Sequence, residues 1–335
     1  MRVALDIDPY KCQGWFPALA IFCNNQNSTY KNPTIMKIIT LTLSPALDVT
    51  YRIPGEISLG LNRAESFSIT AGGKGINVAR SIAREAKRCG VDADYAAIYP
   101  SGGEIGELLT QSLAAEGITT LPVKTAAACR INVSAINSAG RDIEINARGA
   151  KLKADELSRI EDALDVLTRG DVLAICGSVP DGVEKSYYAE LIRRMKVRGI
   201  TCVLDCDGEA LQYAVCGECP PDYVKPNEHE IRDFCERIGA DVSAEASAEA
   251  IVKASRGRCA VIATYGGRGA AIIRPRGENF EKISADATPV EPMRLKGAGD
   301  TLLGAYLYYK FVKNESDSEA LSAAVEVAGK YVVGE

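Results

Sequence analysis

Short, nearly continuous apolar runs recur along this chain, each separated from the next by a segment of helical spacing. Lys37–Leu43, Tyr95–Tyr99, Asp171–Cys176, Thr201–Asp205, Asp222–Val224 and Cys259–Thr264 are such runs. A strand apolar on both faces must be covered on both, and strands alternating with helices build a parallel sheet between helical layers. Helical spacing is present over Ile105–Glu116, Lys153–Leu167, Lys185–Val197, Glu228–Ile238, Ala244–Ser255 and Ala323–Ala328, and in a segment that opens at Gly72-Gly73 and ends near Cys89-Gly90. The expected fold is therefore α/β: a three-layer, doubly wound, mainly parallel sheet. A strand pair begins at Ala270–Arg274. Shorter runs with period-two alternation, Val49–Ile53, Arg63–Thr70, Ile131–Ile136 and Glu144–Asn146, predict a small second sheet built from two insertions, near 48–70 and 120–147.

No internal repeat or long linker divides residues 36–335, which read as one main domain. Residues 1–35 hold the only tryptophan and an Asn/Ser-rich patch, without the basic region and cleavage site of a signal peptide. Met36 opens the patterned part, so 1–35 is read as an N-terminal extension outside the fold. Lys and Arg number 39 against 44 Asp and Glu, a net charge of −5, so no global field draws the protein to nucleic acid or an anionic membrane. No apolar run reaches the length of a membrane-spanning helix. The 11 cysteines are odd in number and scattered through apolar segments, the usage of a reducing, cytoplasmic compartment. Cys216-Gly-Glu-Cys219 lacks the second pair or nearby histidine of a zinc site, and the sole histidine, His229, rules out a histidine-based triad.

Chemistry enters at Lys296-Gly297-Ala298-Gly299-Asp300, which runs into an apolar helical stretch, Thr301–Val312. A glycine turn opening a helix presents unpaired N–H groups at the positive end of the helix dipole, an anion hole of phosphate size. An acid in that first turn is stabilised as the anion, so Asp300 is expected to be ionised and able to take a proton from a hydroxyl. Alone, such a turn reads first as a helix cap. Other suggestive residues also follow strands, where ligands collect in doubly wound sheets: Asp48, Gly177-Ser178, Asp205 and Asp207, Lys225-Pro-Asn-Glu-His-Glu230, and Thr264-Tyr-Gly-Gly-Arg-Gly269. Gly72-Gly73-Lys74-Gly75 is not a Walker A loop, because Gly75 stands where Ser or Thr is needed and Ser68 where the first glycine belongs.

Taken in order, TLTLSPALD (40–48), GGKGINVAR (72–80), Arg130-Ile-Asn132, GSVPDGV (177–183), DGEAL (207–211), KPNEHE (225–230) and GAGD (297–300) resemble the ribokinase-like carbohydrate kinases. The likeness lies with the phosphofructokinase B branch, which holds 1-phosphofructokinase, tagatose-6-phosphate kinase and the minor 6-phosphofructokinase, and covers Met36 to about Glu335. It implies that Asp300 is the catalytic base and that the N–H groups of Gly297, Ala298 and Gly299 hold the transferring phosphoryl group. Asp48, Gly72, Gly73 and Asn77 would hold sugar hydroxyls. Arg130, with Ser178 beside it, would meet the phosphate already on the sugar; Lys74, a cation at a helix start, is read from the residues themselves as a second contact to it. Lys225, Thr264, Gly266 and Gly269 would line the nucleotide, and Asn227 and Glu230 would place Mg²⁺ through water. The implied activity is ATP-dependent phosphorylation of a ketohexose phosphate, fructose 1-phosphate first, tagatose 6-phosphate or fructose 6-phosphate second, with an exposed part of the small sheet favouring a homodimer.

Three departures stand out. Leu295-Lys296 precedes GAGD where relatives usually carry a small hydroxyl residue, so the phosphoryl group either loses a hydrogen bond there or gains the charge of Lys296. Arg148 replaces a frequent proline, and the chain ends soon after Ala323–Ala328, which predicts that part of the adenine pocket or a final helix is missing. A dinucleotide-binding oxidoreductase is disfavoured, since the first strand leads into SPALD rather than GxGxxG. A non-catalytic sugar-phosphate sensor would have no need of both Asp300 and the Asn227/Glu230 pair.

Overall fold

The computed structural model describes residues 36–137, 142–240, 247–277, 279–291 and 296–335. The proposed extension 1–35, the first residues of the expected 244–255 helix, and Leu295 lie outside the described residues. In chain order the elements are β1 Lys37–Thr42, β2 Ala46–Ile53, β3 Ser66–Gly72, α1 Lys74–Cys89, β4 Asp94–Gly102, α2 Gly103–Ala115 and β5 Thr120–Thr125. There follow β6 Arg130–Asn137, β7 Asp142–Asn146, α3 Ala154–Ala163, β8 Val172–Cys176, α4 Tyr187–Val197, β9 Thr201–Asp205, α5 Gly208–Cys216, β10 Tyr223–Val224 and α6 Glu228–Ile238. The last are α7 Ser247–Ala254, β11 Ala260–Thr264, β12 Ala270–Arg276, β13 Asn279–Ala285, α8 Ala298–Leu307 and α9 Asp317–Val332.

Nine strands form the main sheet in the order β13-β12-β11-β10-β9-β8-β1-β4-β5, parallel except at the β12 and β13 edge. Strand β8 shows why continuous apolar runs mark it. Val172, Ala174 and Cys176 pack into the core under α1, α8 and α9, while Leu173 and Ile175 pack into the core under α3 to α7. The chain moves from β1 outward to β4 and β5 and then returns to β8 on the other side, so the sheet reverses direction between β1 and β8. The carboxyl ends of these two strands are the switch point at which an open α/β sheet receives ligands.

A second sheet has the order β3-β2-β6-β7. Strand β5, expected within the second insertion, instead pairs with β4 as an edge of the main sheet, and the small sheet resumes only at Arg130. An edge strand is half-buried and shows the same alternation as a strand of a two-faced sheet, so periodicity alone could not separate them. The two faces of the small sheet differ in chemistry. Asp48, Thr50, Arg130, Asn132 and Ser134 share one side, while Tyr51, Phe67, Ile69, Ile131 and Ile145 share the other. Phe67 and Ile145 are about two-thirds exposed, at 65% and 64%.

The expected helix Thr301–Val312 is also modified. It runs from Ala298 to Leu307 and then widens into a π-helical turn, Tyr308–Val312. There Tyr309 donates its hydroxyl to Glu85 of α1 at 2.8 Å, and Tyr308 donates to the Val91 carbonyl at 3.2 Å. The wider turn is thus where two tyrosine hydroxyls meet α1 and the loop that follows it.

Candidate active site

Helix α8 starts at Gly297, whose φ of 88° is a left-handed conformation that favours glycine. The Thr301 amide already bonds the Gly297 carbonyl at 2.9 Å. The amides before it in the first helical turn have no intrahelical acceptor and open onto a cavity of about 680 Å³. That cavity brings together Lys74, Lys225, Asn227, Glu230, Thr264, Gly266, Gly269, Ala298, Gly299 and Asp300, drawn from four separate stretches of sequence. Its other walls are apolar, with Pro289, Val290 and Leu302 facing Val325, Ala328 and Val332 of α9. The last helix thus supplies a wall where the end of the chain suggested a reduced pocket.

The floor is a network of buried charges. Asp205, fully buried at the end of β9, lies 3.0 Å from the ammonium of Lys74 and 3.1 Å from that of Lys225, the latter off the line of a hydrogen bond. Burial alone would raise the Asp205 carboxyl, but Lys225 and Lys74 outweigh it and hold it below its ordinary value. Burial would likewise lower both lysines, yet Asp205 and then Glu230 keep them raised and charged. Lys74 also reaches Glu230 at 3.4 Å. Its ammonium is therefore on the cavity side, not beside Arg130 where a contact to a sugar's own phosphate was expected. Lys225 stands at the anion hole, 3.4 Å from where a side chain on Gly299 would begin.

The helix dipole alone would hold Asp300 low; its surroundings set it higher, while leaving it mainly ionised at pH 7. Asp300 is buried, and burial together with the Asp205 carboxylate pushes its pKa up to about 6, against the hydrogen bond from Asn77 and the charges of Lys225 and Lys74. The helix dipole is the weaker influence, because loss of hydration acts on the whole charge while a helix end offers only a fraction of one. A carboxyl titrating near neutrality is suited to exchange a proton.

Asn77 links the cavity to a second group of residues. Its amide donates to Asp300 at 2.8 Å, and its carbonyl accepts from Arg80 at 2.6 Å. The turn before it is tightly packed. A Cβ on Gly72 would meet Asp48 Oδ2 at 2.2 Å, and one on Gly73, at a φ of 137°, would meet Thr42 at 2.9 Å. Asp48 is the third residue of β2, in register with Asn132 of β6, which donates to its Oδ1 at 2.9 Å. Arg130 lies two residues before Asn132 on the same face, its guanidinium folded onto the carbonyls of Ala147 and Ser44 at 3.0 and 3.2 Å. Burial lowers its pKa, with Asp48 opposing. Ser178 is exposed after β8, and its carbonyl accepts the Tyr188 hydroxyl at 3.5 Å. Sequence reading gave no role to Asn132, although period-two spacing from Arg130 puts it on the same face. Asp205 was visible only as an acid after an apolar strand.

A model of the pfkB family carbohydrate kinases matches residues 46–333. The chain belongs to this family. This kinase is 30% identical over 294 residues, 87% of its length and 91% of the relative's, to the ATP-dependent 6-phosphofructokinase isozyme 2 of Escherichia coli K12. The crystal structure of the Escherichia coli phosphofructokinase-2 in complex with fructose-6-phosphate superimposes with a TM-score of 0.77 at 30% identity, covering 89% of this chain and 94% of that one. A Thermotoga maritima protein described as a possible 1-phosphofructokinase gives 0.72 at 21% identity, covering 88% and 92%, a likeness of fold.

The residues that the sequence singled out for a divalent cation, Asn227 and Glu230, both line the kinase's cavity. Asn227 caps α6, accepting from the amides of His229 and Glu230 at 2.9 Å each, while Glu230 Oε2 accepts from the Asn227 amide at 2.9 Å. No cluster of three or more His, Cys, Asp or Glu able to hold a metal is present among the described residues. Such a donor set suits a hard cation that keeps most of its water and takes further ligands from phosphates. Also among the described residues, nine cysteines are free and no helix is long and apolar enough to cross a membrane.

Proposed function

We propose that this kinase transfers the γ-phosphoryl group of ATP to a ketohexose monophosphate, with Asp300 as general base. The observation that carries the reading is the position of Asp300, which lines the large cavity beside Lys225 and meets, through Asn77, the turn that packs against Asp48. Nucleotide on one side and sugar on the other would then share a single carboxylate. The acceptor hydroxyl passes its proton to Asp300 as its oxygen bonds the γ-phosphorus and the bond to the β–γ bridging oxygen breaks, with ADP leaving. The amides of Gly297, Ala298 and Gly299 and the Lys225 ammonium meet the charge on the transferring group, so catalysis is largely positioning and electrostatics. Asn227 and Glu230 would hold Mg²⁺ through water, where it would neutralise phosphate charge. Lys74, tied to Asp205 and Glu230, serves the nucleotide's phosphates, and Thr264, Gly266 and Gly269 line the nucleotide. Asp48, Gly72, Gly73 and Asn77 hold sugar hydroxyls, and Arg130 with Ser178 meets the sugar's own phosphate, its planar fork matched to that group.

Among acceptors, fructose 6-phosphate now ranks first, because the relative at 30% identity is a 6-phosphofructokinase. Fructose 1-phosphate, favoured by the motifs, and tagatose 6-phosphate are the alternatives. A coupled ADP-release assay over the three sugar phosphates and free fructose, with and without Mg²⁺, tests the reading. Turnover of free fructose as efficient as that of every phosphorylated sugar would overturn it. The small sheet acts as a lid over the acceptor, and its apolar outer face, with Phe67 and Ile145 exposed, supports a homodimer formed through it. A monomeric mass at micromolar concentration would overturn that assignment.

A further inference from the structure

Lys296 is the residue that the family resemblance explains least, and its surroundings give it a role. It precedes Gly297 outside any helix, and its carbonyl accepts the Tyr331 hydroxyl of α9 at 2.8 Å. Its side chain does not turn to the anion hole. The ammonium instead lies 3.7 Å from Asp48 Oδ1, with the lysine half exposed and the aspartate 20% exposed. Asp48 is thus approached from two sides, by Asn132 within the small sheet and by Lys296 from the turn before α8, while its Oδ2 rests over Gly72. Among the described residues this ion pair joins the small sheet to the turn that carries Gly297 and Asp300.

We propose that Lys296 is a positioning residue for the acceptor site, tying the Asp48 carboxylate to the anion-hole turn so that Asp48 and Asp300 face one acceptor in fixed register. This rests on the reading of Asp48 as a contact to a sugar hydroxyl. A small hydroxyl residue at 296 could not span the gap. The long stem of lysine does, and the Tyr331 hydrogen bond anchors its backbone end. The ion pair is partly exposed, so its influence is modest, up to about five-fold in an equilibrium constant.

The test uses the full-length enzyme and the variants Lys296→Met and Lys296→Arg. With fructose 6-phosphate as acceptor, Lys296→Met should raise the acceptor KM about three- to five-fold, at the upper end for a pair of this exposure, leaving the ATP KM unchanged and kcat within about two-fold. Lys296→Arg should restore the acceptor KM. A double-mutant cycle of Lys296→Met with Asp48→Asn, read by urea unfolding of the ligand-free protein, should show coupling of up to about five-fold in the unfolding constant. An unchanged acceptor KM in Lys296→Met, a loss not restored by arginine, or additive unfolding effects would overturn the role. Should wild type turn over no sugar phosphate at all, the proposed function fails, while the unfolding cycle still decides whether Lys296 and Asp48 are coupled.

Discussion

Asp300→Asn should divide activity from stability. The variant keeps an oxygen to accept the Asn77 hydrogen bond but can take no proton, so kcat should fall by at least ~10²-fold with substrate KM little changed. Stability should move the other way. The folded-state pKa of about 6 stands above the ordinary 3.8 of an unfolded aspartate. Between those values Asp300 binds more proton in the folded state than in the unfolded one, so its own contribution to wild-type stability falls as pH rises from about 4 to about 6 and is level above that. A difference of roughly two units corresponds to about 3 kcal/mol at 1.36 kcal/mol per unit. Asparagine, neutral at every pH, is spared this loss. In urea titrations of the ligand-free enzyme, Asp300→Asn should be the more stable protein by up to about 3 kcal/mol at pH 8, by about half that at pH 5, and by almost nothing near pH 4. A variant less stable than wild type at pH 8, or an advantage that does not shrink with acid, would falsify the account of Asp300 as a desolvated acid. The same shift predicts that wild-type kcat/KM declines as pH drops through about 6, because the base must be ionised to act.

Arg130→Ala should raise the KM for the sugar phosphate far more than that for ATP; equal effects in steady-state kinetics would count against its assignment. Asp205→Asn leaves two buried ammonium groups without their shared carboxylate, and denaturant unfolding should register a loss of about 3–5 kcal/mol. A neutral effect would mean that the two lysines are paired elsewhere. Gly72→Ala puts a methyl group where Asp48 Oδ2 rests, so the acceptor KM should rise about tenfold or more while the ATP KM holds, a shift in acceptor contact worth about 1.4 kcal/mol. A charge on the outer face of the small sheet, as in Phe67→Asp, should yield monomers by sedimentation if that face joins two copies, and an unchanged mass would remove it from the interface.

Much of this was legible in the chain itself. Continuous apolar runs determine that β8 and β11 are covered on both faces, because only burial on both sides rewards apolar residues at consecutive positions. The glycine turn before Asp300 is a local device whose geometry follows from residue type and spacing. Contacts made across the fold were not legible. Strand β5 carries the same alternation as the small sheet but pairs with β4, and pairing is decided by which neighbour covers the strand. Lys74 directly follows the Gly72-Gly73 turn in sequence, yet its ammonium is claimed by Asp205, 131 residues away. The ionisation of Asp300 followed the same rule. Sequence placed the acid at a helix N-terminus, where a dipole favours the anion. The tertiary structure buried it beside a second carboxylate, and loss of water around a full charge outweighs a partial one.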